Sequence, residues 1–306
     1  MCNKLLIILY LFFISAAYAA EGNYISEFGN TTGTPTELVV SDNKSFKIRS
    51  DSFIYAFKSG DHQVGGTGGH LSTQYDINHI SKIKAYVAHY GSQAYIRKIV
   101  IEFKFYGYTY YHTYGYYSGK ADVYEAIIPK HSKLTGINVY TAPHPYQSQQ
   151  KLLVGFGLKL TNTGPILGLT KGSLYHLSPL TNNTVWVNQG NSTVYRAGLL
   201  NTVSESVGGP ASGSWESADL STVSRIQAGV STYYGWYGNY YQQKLNYILF
   251  GSEHVGFHHG DQAIQIIKGD FSHVKGISVL TEDRVYSWWY YYYVFPIYLN
   301  AIKFNF

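Results

Sequence analysis

Apolar and polar residues alternate with a period of two in several short segments of this chain. The alternation is clearest at residues 99–105, 137–140 and 157–160. Because successive side chains of a strand point to opposite faces of a sheet, this period predicts half-buried β-strands. Further strands are predicted at residues 46–48, 185–187, 245–250, 263–267 and 299–306. No window sustains a helical period, and turn-forming residues cluster at intervals of roughly ten residues. The sequence therefore predicts an all-β fold.

An unbroken apolar run at residues 5–14 opens the chain. Lys4 precedes the run, and the small residues Ala17 and Ala19 follow it. This order is typical of a secretory signal peptide, which we place at residues 1–19, and it predicts a secreted, extracellular protein. The run is too short for a membrane-spanning helix, and no later segment reaches about 18 consecutive apolar residues. No transmembrane segment is predicted.

Composition narrows the classes of function. Cys2 is the only cysteine and lies within the predicted signal peptide, which excludes disulfides and Cys-ligated zinc from the mature chain. Charged residues make up 13% of the chain and aromatic residues 17%, with 32 tyrosines. The net charge is +5, but the basic residues are scattered, so no nucleic-acid partner is predicted. Low charge with abundant Tyr and Gly favours a β-protein with wide amphipathic surfaces.

Two segments of the chain follow the same order of residues. Residues 64–66 read Val-Gly-Gly and precede Ser-Lys-Ile-Lys-Ala-Tyr-Val at residues 81–87. Residues 207–209 also read Val-Gly-Gly and precede Ser-Arg-Ile-Gln-Ala-Gly-Val at residues 224–230. The similarity continues between residues 136–141 and 276–281 and between residues 158–160 and 302–304. A repeat of this length matches one compact domain, so two related domains are predicted.

The repeated order resembles a known family. The glycine-rich residues 65–69, followed by Asp76 and the apolar stretch 83–87, resemble the opening of a jacalin-related lectin domain. Residues 134–140 resemble an inner hairpin of that family, and residues 158–165 resemble a later stretch that ends in Gly-Pro. The resemblance implies two β-prism I domains in tandem, each built from three four-stranded Greek-key sheets around a pseudo-threefold axis.

The family's usual order does not fit the ends of this chain. One complete domain would run over residues 64–203, and the second would combine residues 204–306 with residues 20–63, so that the first is nested in the second. The alternative is two circularly permuted domains, residues 20–162 and residues 163–306. Sequential halves need fewer chain crossings, and permutation is tolerated where chain termini lie close together. We therefore favour the permuted tandem.

The resemblance also implies where sugar would bind. In the family a Gly-Gly loop presents backbone N–H groups, and Gly65 with Gly66 and Gly208 with Gly209 match this loop. A neighbouring hairpin of the family supplies a carboxylate, which accepts hydrogen bonds from sugar hydroxyls. At that position this chain has Ala56 in the first copy and Arg196 in the second. The glycines are also explained by a need for positive φ alone.

Aromatic runs add a second candidate surface. Trp288, Trp289 and Tyr290 open a run of aromatic residues that falls near a hairpin used for sugar recognition in the family. Alternation sends about half of such a run outward, so an exposed binding patch is predicted there. Two other runs are Tyr106, Tyr108, Tyr110, Tyr111, Tyr114, Tyr116 and Tyr117, and Tyr233, Tyr234, Trp236, Tyr237, Tyr240 and Tyr241. For residues 106, 108 and 110, filling of the core is an equal alternative.

Other patterns are weaker. Asn30, Asn43, Asn182 and Asn191 open glycosylation triplets, which predicts exposed loops. The group His254, His258, His259 and Asp261 is interpreted as a polar loop, because adjacent histidines on a strand point to opposite faces. No metal site and no cofactor are predicted. The carboxylates form no acid/base pair for sugar hydrolysis, and no nucleophile motif is present, so a catalytic function is not predicted.

These patterns lead to two hypotheses. The first is a secreted, non-catalytic, lectin-like protein whose partners are glycans or glycoproteins, bound through the Gly-Gly loops and adjacent aromatic loops. The second is a structural extracellular protein of a matrix, coat or adhesive, which uses the lectin fold as a scaffold and has matrix or homo-oligomeric partners. The paired Gly-Gly loops favour the first hypothesis. Low charge, abundant tyrosine and the absent carboxylate favour the second.

Overall fold

The computed structural model describes residues 22–40, 46–73, 79–130, 132–162, 164–168, 173–190, 193–200, 202, 204, 206–209, 213–234, 241–256, 263–288 and 291–306. The predicted signal peptide lies outside these residues. Within them Thr181–Asn183 forms a 3₁₀ turn, and no described helix is long and apolar enough to cross a membrane.

Among the described residues between 22 and 162 there are twelve strands. They are β1 (Gly22–Gly29), β2 (Thr36–Val39), β3 (Phe46–Ser50), β4 (Ile54–Ser59), β5 (His62–Gly65), β6 (His70–Leu71), β7 (Ile80–Tyr90), β8 (Gln93–Phe105), β9 (Tyr108–Gly115), β10 (Asp122–Ile127), β11 (Lys133–Pro143) and β12 (Lys151–Asn162).

The described part of residues 163–306 contains twelve more strands. They are β13 (Ile166–Gly168), β14 (Ser173–Leu177), β15 (Thr184–Gly190), β16 (Thr193–Gly198), β17 (Ser206–Gly208), β18 (Ser214–Asp219), β19 (Arg225–Tyr234), β20 (Tyr241–Phe250), β21 (Glu253–Gly256), β22 (Ala263–Gly269), β23 (Gly276–Trp288) and β24 (Tyr291–Asn305). The segments predicted as strands fall within these elements except for Phe306, which lies one residue past the end of β24, and the all-β prediction is confirmed.

Each half of the chain builds three four-stranded units around a central hairpin. In residues 22–162 the strand orders are β2-β11-β12-β1, β5-β4-β3-β6 and β9-β8-β7-β10. In residues 163–306 they are β13-β24-β23-β14, β17-β16-β15-β18 and β21-β20-β19-β22. First and last strands of each half share a unit, which is a β-prism arrangement of Greek keys. The pairing is compatible with a tandem of sequential halves, and the domain boundary at residues 162 and 163 stays a prediction.

Strand β22 joins the two halves. It pairs with β1 in antiparallel register and with β10 in parallel register, so three units form one continuous sheet. Buried polar groups cross the same junction. Gln265 donates to the Glu125 carboxylate at 3.3 Å, and the Glu27 carboxylate lies 3.7 Å from Arg225 and 3.8 Å from Lys268. The paired edges and these contacts hold the halves together.

A β-bulge recurs in the central hairpin of every unit. At this bulge each hairpin skips one residue in its register, and the carbonyl of that extra residue faces a glycine with positive φ at the end of the neighbouring outer strand. The bulged residue and its glycine are Val154 and Gly29, Tyr55 and Gly65, Arg97 and Gly115, Asn300 and Gly168, Tyr195 and Gly208, and Asn246 and Gly256. A Cβ at any of these glycines would stand 2.1 to 2.5 Å from the carbonyl oxygen. Only glycine combines this backbone conformation with this approach.

The core of each half lies between its sheets. Phe28 stacks on Phe156 with ring centroids 4.3 Å apart, and Phe57 meets Phe156 edge-on at 5.0 Å. Phe271 and Phe304 pack together in the second half at 5.7 Å. These rings belong to one contiguous buried cluster, which dominates the stability of the fold because buried apolar area does.

Candidate functional site

The predicted Gly-Gly loops belong to the bulge geometry. Gly65 has a φ of +120° and Gly208 a φ of +140°. The N–H of Gly66 donates to the carbonyl of Tyr55 at 2.8 Å, and the N–H of Gly209 donates to the carbonyl of Tyr195 at 3.0 Å. The N–H of the second glycine in each loop is therefore already bonded within the fold.

A third unit shows that this N–H bond is part of the scaffold. Asn30 follows Gly29 and donates its backbone N–H to the carbonyl of Val154 at 2.9 Å, in the same arrangement without a second glycine. Gly66 has a separate requirement, because a Cβ there would stand 2.1 Å from the carbonyl oxygen of Lys151. The bulge and the close packing thus account for both glycines of the first loop.

The two residues at the family's carboxylate position have different structural roles. Ala56 is fully buried and lies opposite Gly65 in the β4–β5 pair. Arg196 donates from Nη1 to the carbonyls of Gly208, at 2.9 Å, and Gly209, and from Nη2 to the carbonyl of Ser206 at 2.8 Å. Burial lowers the pKa of this guanidinium. Arg196 therefore stabilises the second Gly-Gly turn as a hydrogen-bond donor. The family pattern would have a carboxylate at this position, which accepts from sugar hydroxyls.

A carboxylate does stand beside the first Gly-Gly loop. Asp51 occupies the exposed tip between β3 and β4, and its Oδ1 accepts from the backbone N–H of Phe53 at 3.0 Å. Its Oδ2 accepts from the hydroxyl of Tyr55 at 3.1 Å. Burial, with the bond to Asp51, raises the pKa of Tyr55 to about 12, so this hydroxyl stays a donor at neutral pH. The Asp51 carboxylate is oriented, and its remaining lone pairs face solvent.

An aromatic cluster lies at the same end of the first half. We call it the end cluster; it consists of Phe53, Tyr55, Tyr90, Tyr95, Arg97, Tyr117, His144 and Tyr146. His144 links its parts, with ring centroids 5.1 Å from Phe53 and 6.4 Å from Tyr55. Tyr146 is 76% exposed and packs edge-on against Tyr90 at 6.5 Å. The cluster therefore presents an aromatic ring to solvent above a packed base.

Arg97 is the cationic centre of the end cluster. It is 9% exposed, and its guanidinium carbon lies 4.0 Å from the ring centroid of Phe53, 5.4 Å from that of Tyr90 and 5.2 Å from that of Tyr117. Its Nε donates to the carbonyl of Ser52 at 2.7 Å, and Nη1 donates to the hydroxyl of Tyr90. Burial lowers its pKa, and no carboxylate forms an ion pair with it among the described residues. Aromatic faces stabilise this charge in place of an anion.

The loop between β11 and β12 places Tyr146. The backbone N–H of Tyr146 donates to Nδ1 of His144 at 3.0 Å, which leaves Nε2 of the imidazole to carry the proton in the neutral ring. The backbone N–H of His144 donates to the carbonyl of Gln150 at 2.8 Å and closes the loop. Tyr95 anchors the loop by donating its hydroxyl to the carbonyl of Pro143 at 2.8 Å. Tyr146 is therefore exposed on an ordered turn.

Of the three predicted aromatic runs, the structure describes the side chains of the run at residues 106–117. Trp289 and Tyr290 lie outside the described residues; Trp288 ends β23, but its side chain is not described, nor are the side chains of the run at residues 233–241. In the run at residues 106–117, the exposed tyrosines are Tyr106, Tyr108, Tyr110, Tyr111 and Tyr116, and the buried one is Tyr114. The alternative in which residues 106, 108 and 110 fill the core is wrong, because β9 extends past the edge of the core.

The glycosylation triplets stay predictions. Asn30 is exposed, and its Oδ1 accepts from the backbone N–H and the hydroxyl of Thr32 at 3.0 and 2.7 Å. Asn182 is exposed in the 3₁₀ turn with a φ of +53°. Asn43 and Asn191 lie outside the described residues. Two of the four acceptors thus stand at accessible turns.

No group of three or more potential metal ligands forms among the residues that the structure describes. His254 is exposed on β21, while His258, His259 and Asp261 lie outside that part of the chain. Glu125 is buried and forms ion pairs with Lys84 at 2.9 Å and Lys82 at 3.2 Å. Its carboxylate therefore has a structural role at the junction.

Similar folds occur among solved structures. The second β-prism domain of RbmC from V. cholerae, bound to N-acetylglucosaminyl-β-1,2-mannose, has a TM-score of 0.36 and 20% identity over 43% of this chain and 96% of that domain. The V. cholerae biofilm matrix protein Bap1 has a TM-score of 0.39 and 14% identity over 95% of this chain and 45% of its own. Malaysian banana lectin has a TM-score of 0.32 and 19% identity over 47% of this chain and 98% of its own.

The strand pairing of the chain is that of a β-prism fold. No family model and no curated protein sequence matches it. The β-prism likeness concerns the fold alone, so the site must be judged on its own residues. The end cluster was not predicted from the sequence. The feature of the sequence that could have indicated it is the turn with His144 and Tyr146, between the strands predicted at residues 137–140 and 157–160.

Proposed function

We propose that this is a secreted, non-catalytic, carbohydrate-binding protein of lectin type, and that glycans or glycoproteins bind at the end cluster of the first half. The observation that carries the proposal is Tyr146, an exposed ring on an ordered turn, with the Asp51 carboxylate at the neighbouring hairpin tip. An aromatic face can stack on the C–H face of a pyranose, while oriented polar groups bond its hydroxyls.

The hydrogen-bonding groups in the end cluster and beside it can pair with sugar hydroxyls. Asp51 is an exposed acceptor held by Phe53 and Tyr55. Arg97 is only 9% exposed and donates to Ser52 and Tyr90, so it orders the base of the site and does not itself contact sugar. An exposed acceptor beside an apolar ring that carries a hydroxyl is what a glycan site requires. The N–H of Gly66 is already bonded within the fold, so it is not offered to a sugar. The contribution of the Gly-Gly loop to the site is then its shape.

The test is a broad glycan array with three variants. Tyr146→Ala removes the exposed ring, and we expect the affinity of any bound glycan to fall by about tenfold or more. Tyr175→Ala is the matched control, because Tyr175 is 44% exposed in the second half, outside the end cluster. The double variant Trp288→Ala/Trp289→Ala examines the surface predicted from the sequence. If only the double variant lost binding, the glycan site would lie in the second half and not at the end cluster. Absence of binding by the unaltered protein across the array would refute the lectin proposal.

A structural role in a matrix, coat or adhesive is a second candidate, and one observation favours it. Tyr108, Tyr110 and Tyr111 of β9 are exposed, and they lie on both faces of the strand. Contiguous exposed aromatic residues usually mark a contact surface. Retention of the protein in an extracellular matrix without any glycan binding would favour this candidate.

A further inference from the structure

Strand β9 is an open sheet edge. It lies at the end of the order β10-β7-β8-β9, and no described residue pairs with its outer side. The first six of its eight residues are exposed, which places both faces of the strand in solvent. A sheet edge of this kind presents a row of backbone N–H and C=O groups that can pair with another strand.

The equivalent strands of the other units show how the fold treats such edges. Strands β5, β13, β17 and β21 occupy the same place, and each has only three or four residues. Strand β1 has eight residues like β9, and its outer edge is covered by β22 of the other half. The short edge strands are left unpaired on their outer side, whereas the long edge of β1 is paired with β22. Within the described residues, β9 is the long edge without a partner.

The side chains of β9 do not protect this edge. Natural edge strands usually carry Lys, Pro or a bulge that discourages pairing. Strand β9 has the sequence Tyr-Thr-Tyr-Tyr-His-Thr-Tyr-Gly, without a charged residue or a proline. Tyr111 is 66% exposed on one face, and Tyr108 and Tyr110 are exposed on the other. Tyrosine is enriched in protein interfaces because it buries a large apolar area and keeps a hydroxyl for hydrogen bonding.

We propose that β9 pairs with β9 of a second copy of this chain, in antiparallel register, so that two sheets become one. A twofold axis through Tyr111 places each Tyr111 opposite the same residue of the second copy, and Tyr110 opposite His112. The junction of β1 and β22 is the internal precedent, because there this fold already joins two halves by antiparallel edge pairing. A self-complementary contact of this type closes after two copies and gives a dimer.

The experiment measures association by sedimentation velocity across micromolar concentrations. The unaltered protein should sediment as a dimer. Tyr111→Lys introduces a charge on the twofold axis and should sediment as a monomer with an unchanged circular dichroism spectrum and melting temperature. His254→Lys is the matched control, because it adds the same charge to β21, the short equivalent edge, and it should remain a dimer. A monomeric unaltered protein, or a dimeric Tyr111→Lys, would overturn the proposal.

A cross-link tests the register without a disruptive charge. Cα atoms of directly opposite residues in an antiparallel pair lie about 4.5–5.5 Å apart, which suits a disulfide. Tyr111→Cys, in a chain without Cys2, should therefore form a covalent dimer under mild oxidation, and His254→Cys should not. Equal cross-linking of both variants would mean random collision and would contradict the pairing. Glycan binding at the end cluster should survive Tyr111→Lys, so the two proposals fail independently.

Discussion

Substitution of Gly65 by alanine separates the two interpretations of the Gly-Gly loop. If the loop serves the bulge, the variant loses stability; if its main task is to contact sugar, the variant folds normally and loses binding. Gly65 has a φ of +120°, and a Cβ added there would lie 2.2 Å from the carbonyl oxygen of Tyr55 and 2.8 Å from the Cα of Ala56. Both obstacles are backbone atoms of β4, so relief requires β5 to move away from its neighbour.

The magnitude follows from two contributions. A non-glycine residue in a sparsely populated backbone region costs about 1–3 kcal/mol. The overlap with β4 adds strain or broken ladder bonds, and we expect a total loss of about 3–5 kcal/mol in the free energy of unfolding. Gly251→Ala is the control, because Gly251 has a φ of +62° and a Cβ there meets no atom within 4 Å. Its cost is the left-handed conformation alone, about 1–2 kcal/mol.

Urea unfolding, followed by circular dichroism and tyrosine fluorescence, measures both variants against the unaltered protein. The midpoint for Gly65→Ala should fall further than that for Gly251→Ala, in proportion to the larger loss of unfolding free energy. Equal losses would refute the claim that contact with the bulged carbonyl defines this glycine. A fully stable Gly65→Ala that no longer binds glycan would restore the Gly-Gly loop as a sugar contact.

The remaining predictions concern two charged residues. Burial acts to raise the pKa of Glu125, but Lys82 and Lys84 outweigh it and hold this pKa below its ordinary value. The ionised carboxylate therefore stabilises the fold above about pH 4.3, and that stabilisation disappears as the pH falls through the lowered pKa. We expect the difference in urea midpoint between the unaltered protein and Glu125→Gln to shrink from pH 7 towards pH 3, and a constant difference would contradict the ion pairs. Arg196→Ala leaves carbonyls of the second Gly-Gly turn without their donor, and thermal unfolding should show a loss of about 1–3 kcal/mol. An unchanged melting temperature would mean that this guanidinium does not hold the turn.

Strands such as β8 were predictable because one of their faces is buried and the other is not. Residues 99–105 alternate in sequence, and in β8 the side chains of Ile99, Ile101 and Phe103 are buried while their neighbours are less so. The next strand broke the same rule. Tyr108 and Tyr110 follow the alternation, but β9 runs past the core, and a local period does not record where a core ends. Patterns of period two predict a strand and its faces, and the tertiary fold decides whether a face is covered.

The site was less predictable for a geometric reason. The contacts of the end cluster join residues far apart in the chain, such as Phe53 with His144 and Arg97 with Ser52. No spacing in the sequence signals them, because they arise where three hairpins of one half converge. The Gly-Gly pairs were visible, but their purpose was not. Six bulged carbonyls share the requirement for glycine, and only backbone geometry shows that two of the six belong to these pairs.

The same geometry argues against two equivalent sugar sites. Two of the three bulged residues differ between the halves: Arg97 corresponds to Asn246 and Val154 to Asn300, whereas Tyr55 corresponds to Tyr195. In the first half, Tyr55 and Arg97 bulge into an aromatic and cationic cluster. In the second half, Asn246 takes a bulge, is fully buried, and has no hydrogen bond from its side-chain amide to any described residue. The shared glycines preserve the backbone and allow the bulged side chain to vary. A glycan-binding surface built on the first half's side chains therefore has no counterpart at this bulge of the second half, and binding by the isolated protein should show one class of site rather than two.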